Sequence, residues 1–512
     1  MIARVLLLVF TAGLLLIGSA PGAARQADGV LGGVWAETRF HTGCDPGPYT
    51  APGWPDPRVT HVRNPGPSEP ASLRVDLDSA AAHRPILGAG FNFEHALWSC
   101  PQFRGLFRSE ILDPFQPAVA RVDTGLLPAA PPEVPAQDLG PAVYQSVLAS
   151  EPYADSWRFL QRLNRAGVRI ILGVWGGPGQ FTDTGDRRGT LEPAHYDDYV
   201  EYVRSLIDYI IRQQDVQIWA ITIANEPDGG DGTQIPPYGL AYIAHRLAEQ
   251  IQPYGVKLYG PDTTDANNAI TYLPPLLNDP IVANSLAFVG FHQYYPSTDV
   301  ADLVDFVRER RPDLPVIATE YTSFGFGMLD DGEEANDHTG FTMDVVTTLL
   351  DHYRNGVDAA IYWDAVDYLQ PGHDAITKWG LLRGPAQDFA RRSHYYGLLQ
   401  VLPYLQPGAR VMDSQQSGGE QVSSLAVRTP DGPPAIFLVN SGPTGVDLSI
   451  SLEGTDAAYY PSLIVTRTAR GHNAERLGRL RMVNGSGTLD LPPRSLTTLF
   501  PAGQEPASDD DV

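Results

Sequence analysis

Glu226 and Glu320 each end an apolar run of the chain. Ile221, Thr222, Ile223 and Ala224 form a β-branched stretch that stops at Asn225, Glu226 and Pro227. Pro227 has no backbone N–H with which to continue a ladder, so Glu226 is expected on the C-terminal rim of a buried strand. A second run, 315–319, reaches Glu320, 94 residues on (320 − 226). Two carboxyl groups at one site can flank one carbon: one protonates a leaving oxygen, the other attacks that carbon or activates a water. Glycoside hydrolysis makes that demand, and it requires the two groups to differ in proton affinity. Arg121 and Tyr294 are expected to donate to Glu320 and keep it ionised, while Asn225 holds a sugar hydroxyl. Glu226 is then left with the raised pKa, as acid first and base second.

The elements that would position these residues form a cycle of apolar strand, polar loop and amphipathic helix from residue 85 onward. Strands are expected over 86–92, 118–123, 168–175, 218–224, 256–261, 286–292, 315–320 and 358–363, with helices such as 196–213, 238–252, 300–310 and 342–355 between them. Eight strands alternating with helices predict an α/β fold, a (β/α)8 TIM barrel. Gly88, Ala89 and Gly90 do not open a helix, which disfavours a dinucleotide-binding open sheet. A barrel delivers every strand end to one face. Here those ends are Asn92 and Glu94, Arg121 and Asp123, Trp175, Asn225 and Glu226, Asp262, His292 and Tyr294, Glu320, and Trp363 and Asp364. Trp175 and Trp363 offer flat apolar faces to a sugar ring, and His292 shares a strand face with Tyr294. Glu94 joins them as a substrate contact; Asp262 and Asp364 stand evenly between substrate contact and loop hydrogen bonding.

From residue 406 the pattern changes to short strands over 422–429, 435–440, 446–452, 462–468 and 487–491, predicting an appended C-terminal antiparallel β-sandwich over 406–502. The catalytic barrel is expected over 85–405. Residues 25–84 read as surface loop plus a strand over 72–78 that joins the sandwich, and 503–512 as a disordered acidic tail. Met1 to Ala24 reads as a signal peptide: Arg4 precedes an apolar stretch, 5–17, and small residues follow at Gly22, Ala23 and Ala24. That stretch is too short to span a bilayer, so a secreted protein, extracellular or periplasmic, is expected. The formal charge of −24 disfavours nucleic acid and anionic membranes as partners and suits a neutral substrate, which the paired glutamates make a carbohydrate. A monomer is expected. Cys44 and Cys100 either pair in a disulfide or stay apart; spacing does not decide between them.

Asn-Glu-Pro ending the fourth strand, with Thr319-Glu320-Tyr321 ending the seventh, resembles the retaining glycoside hydrolases of clan A. Arg121, His292-Gln-Tyr294 and Trp363 extend the match, which covers about residues 85–400. The appended sandwich is similar in layout to families 30 and 39 of that clan. The resemblance implies Glu226 as acid/base, Glu320 as nucleophile, net retention, a β-linked glycan as substrate and no cofactor. Trp363 would lie under the sugar at the cleavage subsite. His292, His338, His352 and His373 are scattered without metal-ligand spacing, and no Gly-x-Ser-x-Gly elbow is present. Two alternatives stand on the same residues: a transglycosylase, and a polysaccharide-binding protein without turnover.

Overall fold

The structure is a computed structural model that describes residues 68–123, 131, 133–295, 299–323, 334–366, 379–385 and 388–502. The expected signal peptide, the loop up to 67, Cys44, His373 and the acidic tail lie outside the described residues. Cys100 is buried and disulfide-bonded.

Eight parallel strands close a barrel: β2 (Gly88–Glu94), β3 (Val119–Asp123), β4 (Arg169–Gly173), β5 (Ala220–Thr222), β6 (Lys257–Thr263), β7 (Leu286–Gln293), β8 (Val316–Tyr321) and β9 (Ala359–Tyr362), with β9 pairing back onto β2. Strand periodicity divides the side chains between two cores. Val119, Ile171, Ala220, Tyr259, Phe288, Ile317 and Ile361 form one buried cluster, drawn from every barrel strand except β2, as expected of a filled barrel interior. Their neighbours in sequence, such as Ile170, Leu172, Ile221, Leu258, Val289 and Val316, belong to a second cluster shared with the helices. The helix Pro237–Ile251, for example, buries Leu240, Ile243, Ala244, Leu247 and Ile251, a 3–4 spacing that makes one apolar stripe.

A preceding strand, β1 (Glu69–Asp76), lies in a different sheet. The C-terminal strands are β10 (Arg410–Met412), β11 (Ser414–Ser417), β12 (Val422–Arg428), β13 (Pro434–Asn440), β14 (Val446–Glu453), β15 (Ser462–Ala469), β16 (His472–Arg481), β17 (Ser486–Leu491) and β18 (Ser495–Pro501). They form two sheets, in the orders β11-β1-β14-β17 and β10-β12-β13-β18-β15-β16. Strand β1 runs parallel to β14 and antiparallel to β11. The fold is thus a TIM barrel carrying a β-sandwich.

Two features differ from the sequence-based expectation. The strand expected over 218–224 is only three residues long, because the backbone leaves the ladder after Thr222. The short strands β10 and β11 and the longer β16 and β18 also went unexpected. Strand β16 is a charged edge with Leu480 as its only buried residue, which suits an edge but carries no alternating pattern. Strand β18 lies between β13 and β15, and its buried Ser495, Thr497 and Thr498 interrupt the apolar signal of the equally buried Leu496, Leu499 and Phe500.

Candidate active site

Arg121, fully buried at the middle of the barrel mouth, holds the site together. Its Nε donates to the Tyr259 hydroxyl at 3.0 Å. Nη1 donates to Asn92 Oδ1 at 3.0 Å and Glu320 Oε1 at 2.5 Å; Nη2 donates to Asn225 Oδ1 at 2.6 Å and Asp262 Oδ2 at 2.9 Å. A guanidinium has five N–H bonds in one plane, and here five acceptors from four strands or strand ends meet them. The other Glu320 oxygen, Oε2, accepts from the Tyr294 hydroxyl.

Glu226 is positioned by irregular backbone. After β5 the N–H of Asn225 donates to Val174 O at 2.7 Å and that of Glu226 to Asp262 O at 2.9 Å. Glu226 itself has φ +43°, a left-handed conformation that a non-glycine residue adopts at a cost of about 1–3 kcal/mol. Its side chain is held at both oxygens: Oε1 faces His292 Nδ1 at 2.8 Å, and Oε2 accepts from the Asp231 N–H at 2.5 Å. That second contact needs a glycine nearby. A Cβ on Gly230 would lie 1.8 Å from Glu226 Oε2.

His292 bridges the two glutamates. Its Nδ1 is also 3.4 Å from Glu320 Oε2, and its Nε2 is 3.4 Å from Asp262 Oδ1. One ligating atom each from Glu226, His292 and Glu320 lie within 4.8 Å of one another, a spacing a metal ion could occupy. The guanidinium at 2.5 Å from Glu320 already supplies a cation there.

The charges shift as these contacts require. Burial works against a charged His292, but Glu320, Asp262 and Glu226 overcome it and raise its pKa to about 10. Burial also pushes the Glu226 carboxyl up, yet the hydrogen bond and charge of His292 and the Asp231 N–H leave it below the ordinary carboxylate range. For Glu320, burial outweighs the help of His292, Arg121 and Tyr294, with the Glu226 charge adding to the rise. This order corrects the expectation of a raised Glu226 beside a Glu320 kept low. The physical reason is His292: an imidazolium bonded directly to Glu226 was not part of the sequence-based picture.

Trp175 lies over the Arg121 guanidinium, 4.4 Å from carbon to ring centroid, and its ring meets that of Trp363 at 5.7 Å and 36°. The Trp363–Asp364 peptide is cis. Arg121, Asn225, Glu226, His292, Tyr294, Glu320, Trp175 and Trp363 therefore come together in one constellation. Glu94 ends β2 in register with Asp123, not with a strand that carries either glutamate. Tyr259, Thr319 and Asp231 were missed as participants, and Asp262 was underweighted. Tyr259 was detectable, since it precedes Asp262 by three residues on a strand whose end was already in question; Asp231 acts through its backbone and left no side-chain signal.

No family model and no curated protein sequence matches the chain. Solved structures do. A glycoside hydrolase family 30 endoxylanase from Clostridium papyrosolvens C71 superposes with a TM-score of 0.64 at 19% identity, over 84% of this chain and 99% of that one. The chain shares the fold of that enzyme. An endo-β1,6-glucanase aligns with a TM-score of 0.60 at 17% identity, over 84% of this chain and 94% of its own. A conserved exported protein from Bacteroides fragilis aligns with a TM-score of 0.59 at 14% identity, over 84% of this chain and 100% of its own. Among the described residues no helix is long and apolar enough to cross a membrane.

Proposed function

We propose that the chain is an exported, retaining glycoside hydrolase that cleaves β-linked glycans by double displacement, with Glu226 as acid/base and Glu320 as nucleophile. The observation that carries this is the spacing of the two carboxylates: an oxygen of each lies within 4.8 Å of the other, joined through His292. Nucleophilic attack requires about 5–5.5 Å between the groups, whereas an intervening water requires roughly 6.5–9.5 Å.

The roles follow from what each carboxylate is bonded to. Glu320 accepts from Arg121, which does not deprotonate, and from Tyr294, whose pKa burial pushes far up. Both partners stabilise it as an anion aimed at one place. Glu226 faces the Nδ1 of His292 at 2.8 Å, a partner that can pass it a proton and take one back. In the first step a Glu320 oxygen bonds to the anomeric carbon, the bond from that carbon to the leaving oxygen breaks, and Glu226 supplies the proton the leaving oxygen needs. In the second, water attacks the same carbon, gives its proton to Glu226, and displaces Glu320. Trp175 and Trp363 provide the apolar wall against which a sugar ring packs. Xylan and β-1,6-glucan, the substrate types of the enzymes that share the fold, are the first to screen. Export rests on the leader over 1–24 and agrees with the exported Bacteroides protein of the same fold.

Glu226→Gln and Glu320→Gln should each lower hydrolysis by several orders of magnitude, about 10³-fold or more, with the fold intact. Proton NMR of the first-formed product should show the anomer of the substrate. Wild-type rates in both variants, or an inverted first product, would remove the proposed roles.

A further inference from the structure

Asp262 has no place in the two-carboxylate scheme, yet the chain distorts two strands to build it in. Along β6 and β7 the register passes from Pro261 opposite Gly290 to Thr263 opposite Phe291, so Asp262 is the extra residue of a bulge, at φ +61°. Along β7 and β8 it passes from Phe291 opposite Ala318 to His292 opposite Glu320, leaving Thr319 as the extra residue of a second bulge. A bulge turns a side chain toward a face that the two-residue period would deny it. The two bulged residues meet: Thr319 Oγ1 donates to Asp262 Oδ1 at 2.5 Å. Asp262 is fully buried, so it is shut off from solvent in the substrate-free site. Its other contacts are Arg121 Nη2 at 2.9 Å, His292 Nε2 at 3.4 Å and, through its backbone oxygen, the N–H of Glu226 at 2.9 Å.

We infer that Asp262 is a positioning residue that sets the protonation of Glu226 through His292. The inference rests on the proposed acid/base role of Glu226. Every charged or titratable group facing His292 fits it. Glu226 approaches Nδ1 from the loop after β5, Asp262 approaches Nε2 from β6, and Glu320 approaches Nδ1 from β8. Arg121, from β3, bonds Asp262 and Glu320 rather than His292, and Tyr294 on the same strand as His292 donates to Glu320. The imidazole thus meets a carboxylate at hydrogen-bond distance on Nδ1 and another at ion-pair distance, 3.4 Å, from Nε2, and negative charge on both sides favours a proton on each nitrogen. Asp262, His292 and Glu226 share one exchangeable proton: with His292 doubly protonated Glu226 is ionised, and transfer from Nδ1 leaves a neutral imidazole beside a carboxylic acid. When Glu226 protonates the leaving oxygen the trio is one proton short, and the proton taken from water in the second step restores it. A negative charge at Asp262 keeps that proton in the trio to higher pH.

The test is Asp262→Asn, which keeps the shape and removes the charge. The alkaline limb of kcat/KM should move down by about one pH unit or more. In kcat/KM, aryl glycosides with poor leaving groups should lose more than a dinitrophenyl glycoside, whose departure needs no proton, beyond any loss the two share through Arg121. An unmoved limb, or an equal loss on both substrates, would overturn the inference. If Asp262→Asn does not fold, the wild type still decides: 15N NMR of labelled histidine should show His292 protonated at both nitrogens at pH 7, and a neutral ring would overturn it. Glu226→Ala with azide separates this from the broader proposal. Azide rescue of a glycosyl azide with an unmoved Asp262→Asn limb refutes the positioning role alone, whereas no rescue refutes the acid/base role beneath it.

Discussion

Arg121 touches Tyr259, Asn92, Glu320, Asn225 and Asp262 with its five N–H bonds, and none of these acceptors is on its own strand. Lysine retains the charge but offers three donors from a single point, so Arg121→Lys leaves at least two buried acceptors without their partner. We expect kcat/KM to fall by about 10²-fold or more, because Glu320, the proposed nucleophile, loses the contact that orients it. Steady-state rates beside a thermal melt check this; activity within a few-fold of wild type would mean the fork is not needed. Most of these residues were legible in the sequence, since strand-end polarity marks Asn92, Arg121, Asn225, Glu226, His292, Tyr294 and Glu320 without any structure. Asp262 and Thr319 were harder for a physical reason. The period-two rule assigns faces by counting, and a bulge shifts the count by one residue, so a side chain destined for the site reads as though it faced away. The order of proton affinities was illegible too, because it depends on how closely each carboxylate approaches Nδ1 of His292, 2.8 Å for Glu226 and 3.4 Å for Glu320.

The loop after β5 carries the element-scale requirement. Tyr272 donates its hydroxyl to both Pro227 O and Ile235 O at 3.1 Å, and Asp228 accepts from Thr264 N at 3.1 Å and Asn268 Nδ2 at 2.7 Å, so the loop is tied to the helix and loop that follow β6. Within that frame Gly230 lets the Asp231 N–H reach Glu226. Adding a methyl there places a carbon 1.8 Å from Glu226 Oε2 and 2.8 Å from Thr264 Cγ2. Gly230→Ala should therefore cost activity about 10²-fold while the melting temperature changes little, since the glutamate end moves more readily than the tied backbone. Gly105→Ala, in a helix where the new carbon meets nothing within 4 Å, is the matched control and should be indistinguishable from wild type. A Gly230→Ala enzyme of full activity would mean the Asp231 contact is dispensable. The apolar part of β5 was visible as Ile221 and its neighbours. Its early end at Thr222 was not, because the backbone there is shaped by cross-strand bonds to Val174 and Asp262 rather than by local propensity.

At the scale of the whole molecule, barrel and sandwich share one core. Leu425, Val427, Phe437, Ile464, Leu496 and Phe500 of the sandwich belong to the same buried cluster as the barrel helices. Tyr404 is the hinge of that contact, with ring centroids 5.9 Å from Phe437 and 5.3 Å from Phe500. Arg354, ending a barrel helix, donates to Ser424 O at 3.3 Å, and Thr498 donates to Gln400 O at 3.4 Å. Strand β1 adds a covalent argument. It enters the sandwich between β11 and β14 before the chain has made its first barrel strand, so the two units are linked at both ends. Two units joined by an apolar seam and two chain crossings should unfold as one. Phe437→Ala empties a fully buried site on that seam, far along the chain from either glutamate, and should destabilise the protein by about 3–5 kcal/mol. If the coupling is as tight as the shared core requires, tryptophan fluorescence and the proposed hydrolytic activity are lost at the same lowered temperature. Every tryptophan among the described residues belongs to the barrel, Trp175 and Trp363 lying in the site, so a sandwich that melts separately leaves fluorescence and activity unchanged through its own transition. Two transitions, with activity following only the upper one, would show that the sandwich is attached to the barrel without bracing it.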